Sequence, residues 1–289
     1  MKILRAFWVG CALLAALPGF AQRPYLRGSA GWNFPFLTQT VTGDGSLYAG
    51  SITTQHAPAG GDRTEYQLKR ASFGAGGAVT VAAGVFITDH IGLEIAAQIG
   101  VLSPHLVYTA TEGEPLGSTT VRTVEARAER PIVLCPALVY RGGGRIEPYL
   151  RAGPALPVHT ARVVNLTEEY RSPASFNNYT ISAQAIESSR FSVGLAATVG
   201  VSVPLWERTS VFAECNATAL QVYTRKRTYT SFFYNSEDIT DAIPESVRTT
   251  WYEMDYVDNG ATPTGTTVRP AYSIPFSALG ISAGISVGW

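Results

Sequence analysis

The sequence predicts an all-β fold, a single antiparallel up-and-down barrel of eight strands. Three observations predict it. Large apolar residues alternate with small or polar ones along several stretches, which is the period of a strand with one apolar face. The links between those stretches are short and long in strict alternation. The 289 residues include 28 Gly, 14 Tyr, 12 Phe and 5 Trp, a composition that suits strands and not long helices.

Residues 1–21 carry Lys2 and Arg5, then an apolar run over 6–17, then Gly19-Phe20-Ala21. Small residues stand at the two positions a signal peptidase reads, so a secretory signal cleaved after Ala21 is expected. The apolar run is too short to span a bilayer as a helix. Residues 22–289 form one domain. Removing the signal takes away two basic residues and no acid, leaving a formal charge of −2. Nucleic-acid binding, which needs a basic face, is not expected.

The eight strands are expected at 24–38, 71–88, 91–110, 120–141, 145–164, 187–204, 209–228 and 266–289. Short links near Asp89, Gly143 and Trp206 join the second to the third, the fourth to the fifth and the sixth to the seventh. The other links are long and rich in Gly, Ser, Thr, Asn and Pro. In the third strand Leu93, Ile95, Ala97, Ile99 and Val101 share one face, against Gly92, Glu94, Ala96, Gln98 and Gly100. The sixth sets Val193, Leu195, Ala197, Val199, Val201 and Val203 against Gly194, Ala196, Thr198, Gly200 and Ser202. The chain closes on "ISAGISVGW", with Ile281, Ile285, Val287 and Trp289 on one face. The small, polar face cannot pack a hydrophobic core, whereas lipid outside and a narrow polar interior suit both faces.

About 9–11 tilted residues cross the hydrocarbon, and these strands run to roughly twenty. After the signal no run reaches the length of a membrane helix, so spanning is by strands. Closure follows, because an open edge in lipid leaves backbone groups unpaired at several kcal/mol each. Short periplasmic turns and long extracellular loops are the layout of such barrels. An even strand number puts both ends on the periplasmic side, with Trp289 at the inner interface, where an amphipathic ring is favoured.

On "ISAGISVGW", the hairpin "TDHIGLEIAAQIG" and "IEPYLRAGPAL", the chain resembles the eight-stranded outer-membrane barrels of the OmpA/OmpX type. More loosely, it is similar to the outer-membrane β-barrel domain family common in Bacteroidetes. The resemblance covers 22–289. It implies location in the bacterial outer membrane, with membrane lipid and, during biogenesis, the barrel-assembly machinery as partners. The family usually ends in Phe, where this chain has Trp289.

Charged residues expected to point into the lumen are Arg27, Glu94, Glu125, Arg127, Glu129, Glu147, Arg151 and Glu214. An eight-stranded interior is just wide enough for side chains to fill, and buried charges must pair. An ion-pair network plugging the barrel is therefore expected, with a narrow polar conduit as the alternative. Pro131 and Pro136 mark irregularity in the fourth strand. The aromatics expected at the membrane interfaces are Trp32, Phe34, Tyr140, Trp206 and Trp289.

No catalytic cluster is read. His56, His90, His105 and His159 are scattered, without metal-ligand spacing. Asp89-His90 sits in a turn. Glu253, Asp255 and Asp258 lack the spacing of a calcium loop. No metal or cofactor is expected. Cys135 and Cys215 are left open between a disulfide and two free thiols. Tyr170, Tyr179, Tyr229, Tyr234, Tyr252 and Tyr256 crowd the outer loops, as recognition surfaces or as rings stacked across extended strands. Residues 229–265 hold two strand-like pieces that would make ten strands if they crossed the membrane. The expected role is structural or surface interaction, with an unspecified extracellular partner. The alternative is a passive carrier or narrow channel, and an outer-membrane enzyme is a distant third.

Overall fold

The computed structural model describes residues 23–36, 50–56, 62–68, 72–104, 106–113, 118–172, 178–255 and 267–288, without the side chains of 50–56, 62–68 and 106–113. The signal at 1–21, His105, Tyr256, Asp258 and Trp289 lie outside them, as do the side chains of His56.

Nineteen strands are described. In chain order β1 is Arg23–Pro35, β2 Gly50–His56, β3 Asp62–Leu68, β4 Gly76–Phe86, β5 Ile91–Leu102, β6 Leu106–Gly113 and β7 Thr119–Ala128. Then come β8 Ile132–Arg141, β9 Glu147–His159, β10 Arg162–Arg171, β11 Tyr179–Ser189, β12 Gly194–Trp206 and β13 Thr209–Ala219. The last are β14 Gln221–Tyr234, β15 Glu237–Asp238, β16 Thr249–Glu253, β17 Thr267–Pro270, β18 Ser273–Pro275 and β19 Ala278–Gly288.

Eight of these close a barrel in the order β1-β19-β13-β12-β9-β8-β5-β4. Every barrel pair is antiparallel, including the closing pair of β1 with β19, where Tyr25 meets Gly288 and Pro35 meets Ala278. These are the eight stretches the alternation picks out, and ten strands are excluded. The strand-like pieces in 229–265 belong elsewhere. Residues 229–234 continue β14, and β16 pairs with β14 outside the barrel.

Five of the long strands expected from the sequence, 91–110, 120–141, 145–164, 187–204 and 209–228, are each two elements, and 266–289 is three, whereas 24–38 and 71–88 each hold one. Beyond the barrel the chain continues into a second, open sheet with the path β17-β16-β14-β11-β10-β7-β6-β2-β3. Five neighbours in it, β6, β7, β10, β11 and β14, stand in the same order as the barrel strands they prolong. At the opposite end β4 and β5 are separated only by 87–90, and β12 and β13 only by 207–208.

At the junction of barrel and second sheet, Phe73, Leu220, Val222, Ile274 and Phe276 form a buried apolar cluster with Val133, Ala155 and Val164. Backbone bonds hold the inserted segments in place: Phe73 N–H donates to Pro275 O at 2.9 Å and Phe276 N–H to Leu220 O at 2.9 Å. The far end of the barrel is thereby filled.

Candidate functional site

Midway along the barrel four charges form a closed ring. Arg27 on β1, Glu214 on β13, Arg151 on β9 and Glu94 on β5 come from every second strand. Arg27 Nη2 lies 2.6 Å from Glu214 Oε2 and Arg27 Nη1 lies 3.6 Å from Glu94 Oε2. Arg151 Nη2 lies 2.6 Å from Glu214 Oε2, and Arg151 Nη1 donates to Glu94 Oε1. Charge alternates around the ring and sums to zero. The intervening strands contribute small residues at this level: Gly84 and Ala137 flank Glu94, and Gly200 and Ser282 flank Glu214.

The carboxylates have further donors. Tyr25 Oη–H donates to Glu94 Oε2 at 2.9 Å, Tyr149 Oη–H to Glu214 Oε2 at 2.7 Å, and Ser282 Oγ–H to Glu214 Oε1 at 3.0 Å. The Arg27 guanidinium rests on the Phe212 ring, 4.0 Å from its centroid. Buried charges of this kind are tolerated only when paired and hydrogen-bonded this fully.

The sequence explains the symmetry of the ring. Pro24-Tyr25-Leu26-Arg27 recurs as Pro148-Tyr149-Leu150-Arg151. In the first copy Tyr25 stands beside Gly84, which pairs with Glu94. In the second, Tyr149 stands beside Gly200, which pairs with Glu214. A Cβ at Gly84 would lie 2.4 Å from Tyr25 Cζ, and one at Gly200 would lie 2.5 Å from Tyr149 Cζ. Glycine is required at both places so that the tyrosine can lie across the wall to reach its glutamate.

The ring divides the lumen into unlike halves. Towards the short turns is a cavity of about 550 Å³, walled by Tyr25, Phe86, Tyr149 and Phe212 and rimmed by Arg141 and Arg208. Towards the second sheet, a space of about 30 Å³ beside Asn33, Gln98 and Thr218 has room for a water. The apolar cluster lies beyond it.

A second charge cluster lies in the second sheet. Glu187 on β11 receives Arg162 Nη2, Arg227 Nε at 2.6 Å and Tyr272 Oη–H at 2.7 Å. Burial opposes ionisation of Glu187, but the Arg162 and Arg227 guanidiniums outweigh it and hold the carboxyl below the usual carboxylate range. Burial, then the Glu187 charge, pushes the Tyr272 phenol up. Sequence reading passed over this cluster, because Arg162 and Glu187 fall at the ends of predicted strands.

Of the eight charges expected in the lumen, the structure brings four together: Arg27, Glu94, Arg151 and Glu214. Glu147 stands at the mouth of the large cavity, half-buried, 3.9 Å from Arg141. Glu125, Arg127 and Glu129 do not reach the lumen. Ala126 and Ala128 are the buried residues of β7, and Arg127 and Glu129 are exposed. Two reasons apply: β7 belongs to the second sheet beyond the barrel, and its phase slips against that of β8. Arg130 takes a left-handed backbone with φ of 45°, and Pro131 follows. Even-numbered residues face inward before this bend, whereas Val133 and Val139 do so after it. The ring partners missed from the sequence, Tyr25 and Tyr149, sit two residues before Arg27 and Arg151. The repeated tetrapeptide is the signal that points to them.

Trp32 and Phe34 are exposed near the far end of β1, and Tyr140 and Trp206 near the short turns. Tyr170, Tyr179 and Tyr234 stack on one another across the second sheet, with centroids 5.1 and 6.0 Å apart. Cys135 and Cys215 are free thiols. Among the described residues no three His, Cys, Asp or Glu side chains are grouped to hold a metal ion.

No family model matches the chain and no curated protein matches it in sequence. Among solved structures it is similar at 8% identity to in-vitro folded OmpT, an outer membrane protein of Vibrio cholerae, over 94% of this chain and 99% of that one, with a TM-score of 0.10. The trimer form of the same protein covers 93% and 99% at 9% identity, with a TM-score of 0.09. Likeness at this level carries no argument, so the reading of the chain rests on its own residues.

Proposed function

We propose that the chain is a bacterial outer-membrane barrel with a sealed lumen, and that its second sheet acts outside the lipid as a surface-interaction element. One observation carries the reading: the barrel is apolar outside and charged inside. Leu195 is 70% exposed, Val199 59% and Ile281 56%, while Glu94 is 2% exposed, Arg151 6% and Glu214 7%. Fully buried Glu and Arg need partners, which the ring supplies, and a water-soluble protein rarely exposes a large contiguous apolar patch. On β19 the outward face from Leu279 to Val287 covers nine residues, which matches the length of about 9–11 that crosses the hydrocarbon.

In this reading the short turns face the periplasm and the second sheet faces outward, with Tyr140 and Trp206 at the inner interface and Trp32 and Phe34 at the outer one. Lipid and the barrel-assembly machinery are its partners. No catalytic role is proposed, because both carboxylates of the ring are committed to arginines. Conduction is the competing reading. The ring argues against it, and planar bilayers holding the folded protein should show no single-channel current.

The deciding experiment is fractionation of expressing cells combined with mutation of the outer face. The protein should travel with the outer membrane. Val199→Arg should cost about 2–4 kcal/mol of folding stability in lipid, whereas the inward neighbour Thr198→Ser should change it by less than about 0.5 kcal/mol. Recovery in the soluble periplasm, or equal effects at the two positions, would overturn the reading.

A further inference from the structure

The half of the lumen that is not filled calls for an occupant. With eight strands, a barrel interior is either packed by side chains or holds one small ligand. Here the far half is packed, while the half facing the short turns keeps about 550 Å³, within the range of about 300–1,000 Å³ typical of small-molecule sites. The ion ring closes its floor, so the space is a blind cup with one mouth.

The cup has a defined chemistry. Two aromatic pairs wall it. The Tyr25 and Phe86 rings lie 5.2 Å apart and tilted, and the Tyr149 and Phe212 rings lie 6.4 Å apart edge to face. The tyrosine hydroxyls are held by Glu94 and Glu214, and guanidiniums cover one face of Phe212 and one of Phe86, so the cup is offered the remaining ring edges and not phenol groups. The rim carries Arg23, Arg141 and Arg208 against Glu147 and Glu207, with the Asp89 carboxylate 3.5 Å from Arg23, so Arg141 and Arg208 are the cations that face the cup without a close carboxylate among the described residues. Arg141 is fixed by Phe86, 3.9 Å from the ring centroid, and by Nε–H donating to Asp89 O at 2.9 Å. Its carboxylate partner among the described residues, Glu147, stands off at 3.9 Å, beyond hydrogen-bond length. At the floor, the buried Nε atoms of Arg27 and Arg151 have no hydrogen-bond partner among the described residues. The volume accommodates a body of one or two rings beside these aromatics, and Arg141 is placed to take an anionic group.

We propose that this cup binds a small amphipathic anion with a flat, aromatic-sized body and a carboxylate head, seated between the Tyr25–Phe86 and Tyr149–Phe212 walls with its head at Arg141. The site goes beyond the membrane reading and stands whichever compartment its mouth faces.

The test is calorimetric titration of the full chain, refolded in detergent, with 1-naphthoate, using empty micelles as the blank. Saturable binding at one site per chain is expected. Ser210→Trp and Ser286→Phe, which place a ring in the cup, should each abolish it. Arg141→Gln should weaken it about tenfold, as loss of a charge-assisted hydrogen bond does. The uncharged 1-naphthylmethanol should bind wild type and Arg141→Gln alike. Folding of each variant is read from its mobility on unboiled gels. Uptake no greater than that of micelles, or binding undiminished in the cup-filling variants that fold, overturns the site. Unchanged naphthoate affinity in Arg141→Gln overturns the anion assignment.

Discussion

Two buried charge clusters occupy this chain and are built on different principles. In the barrel ring every guanidinium meets two carboxylates and every carboxylate meets two guanidiniums, so the group is neutral and complete in itself. In the second sheet, among the described residues, Glu187 alone answers Arg162 and Arg227. The surplus charge leans on its surroundings. The Tyr272 hydroxyl adds a hydrogen bond to Glu187, Phe73 lies 5.1 Å beneath Arg162, and Tyr252 lies 5.9 Å from Arg227. A balanced cluster tolerates loss of a matched pair, whereas an unbalanced one depends on its single counter-charge.

The sharpest way to break the comparison is Glu187→Gln. It leaves two buried guanidiniums without a counter-charge and should destabilise the second sheet by about 3–5 kcal/mol, measured as denaturant-dependent protease cleavage within β10, β11 and β14. A loss below about 1 kcal/mol would show that the second sheet absorbs the excess charge without Glu187.

Acid should separate the clusters next. The folded state holds the Glu187 carboxyl below its ordinary value, so the unfolded chain takes up the proton first as pH falls. The stabilisation from Glu187 is therefore complete above the unfolded value of about 4.3 and is lost as pH drops through the lower, folded value. Trp251, over which Lys226 lies at 5.1 Å, is a fluorescent reporter in the same sheet. Its signal should change in that acid window, and Glu187→Gln should remove the dependence.

The smallest effect is expected from a matched pair in the ring. Arg27→Met combined with Glu214→Met removes one charge of each sign and leaves Arg151 with Glu94. Stability should shift by no more than about 1 kcal/mol, while either substitution alone costs more. A double variant as damaged as the single ones would show that the ring is valued for more than its neutrality.

The barrel was legible in the sequence because period 2 survives wherever an apolar outer face alternates with a small, polar inner one. The eight stretches and the residues Arg27, Glu94, Arg151 and Glu214 follow from that period alone. The division of the long stretches into barrel strand and second-sheet strand does not. Between β13 and β14 a single residue, Leu220, makes the bend, and inward positions stay even-numbered from Phe212 through Val222, so the pattern carries no mark of it. Between β7 and β8 the opposite happens. The phase inverts at Arg130 and Pro131, and Glu125, Arg127 and Glu129 are misassigned with it. The Glu187 cluster was hidden for a third reason. Its charged members Arg162, Glu187 and Arg227 are brought together by the pairing of β10, β11 and β14, which alternation does not encode.

The charge ring also bears on how the barrel finds its register. A strand slipped by two residues keeps every apolar side chain outward, so the outer face does not distinguish a correct closure from one displaced by two. The ring does. Arg27 and Glu214 are 187 residues apart in the chain, and Arg151 and Glu94 are 57 apart. A β1 that closed on β19 two positions early or late would carry Arg27 off the level of both glutamates and bury it without a partner. The four charges thus penalise a two-residue displacement at the β1–β19 seam, the one class of register error that the apolar exterior leaves unmarked.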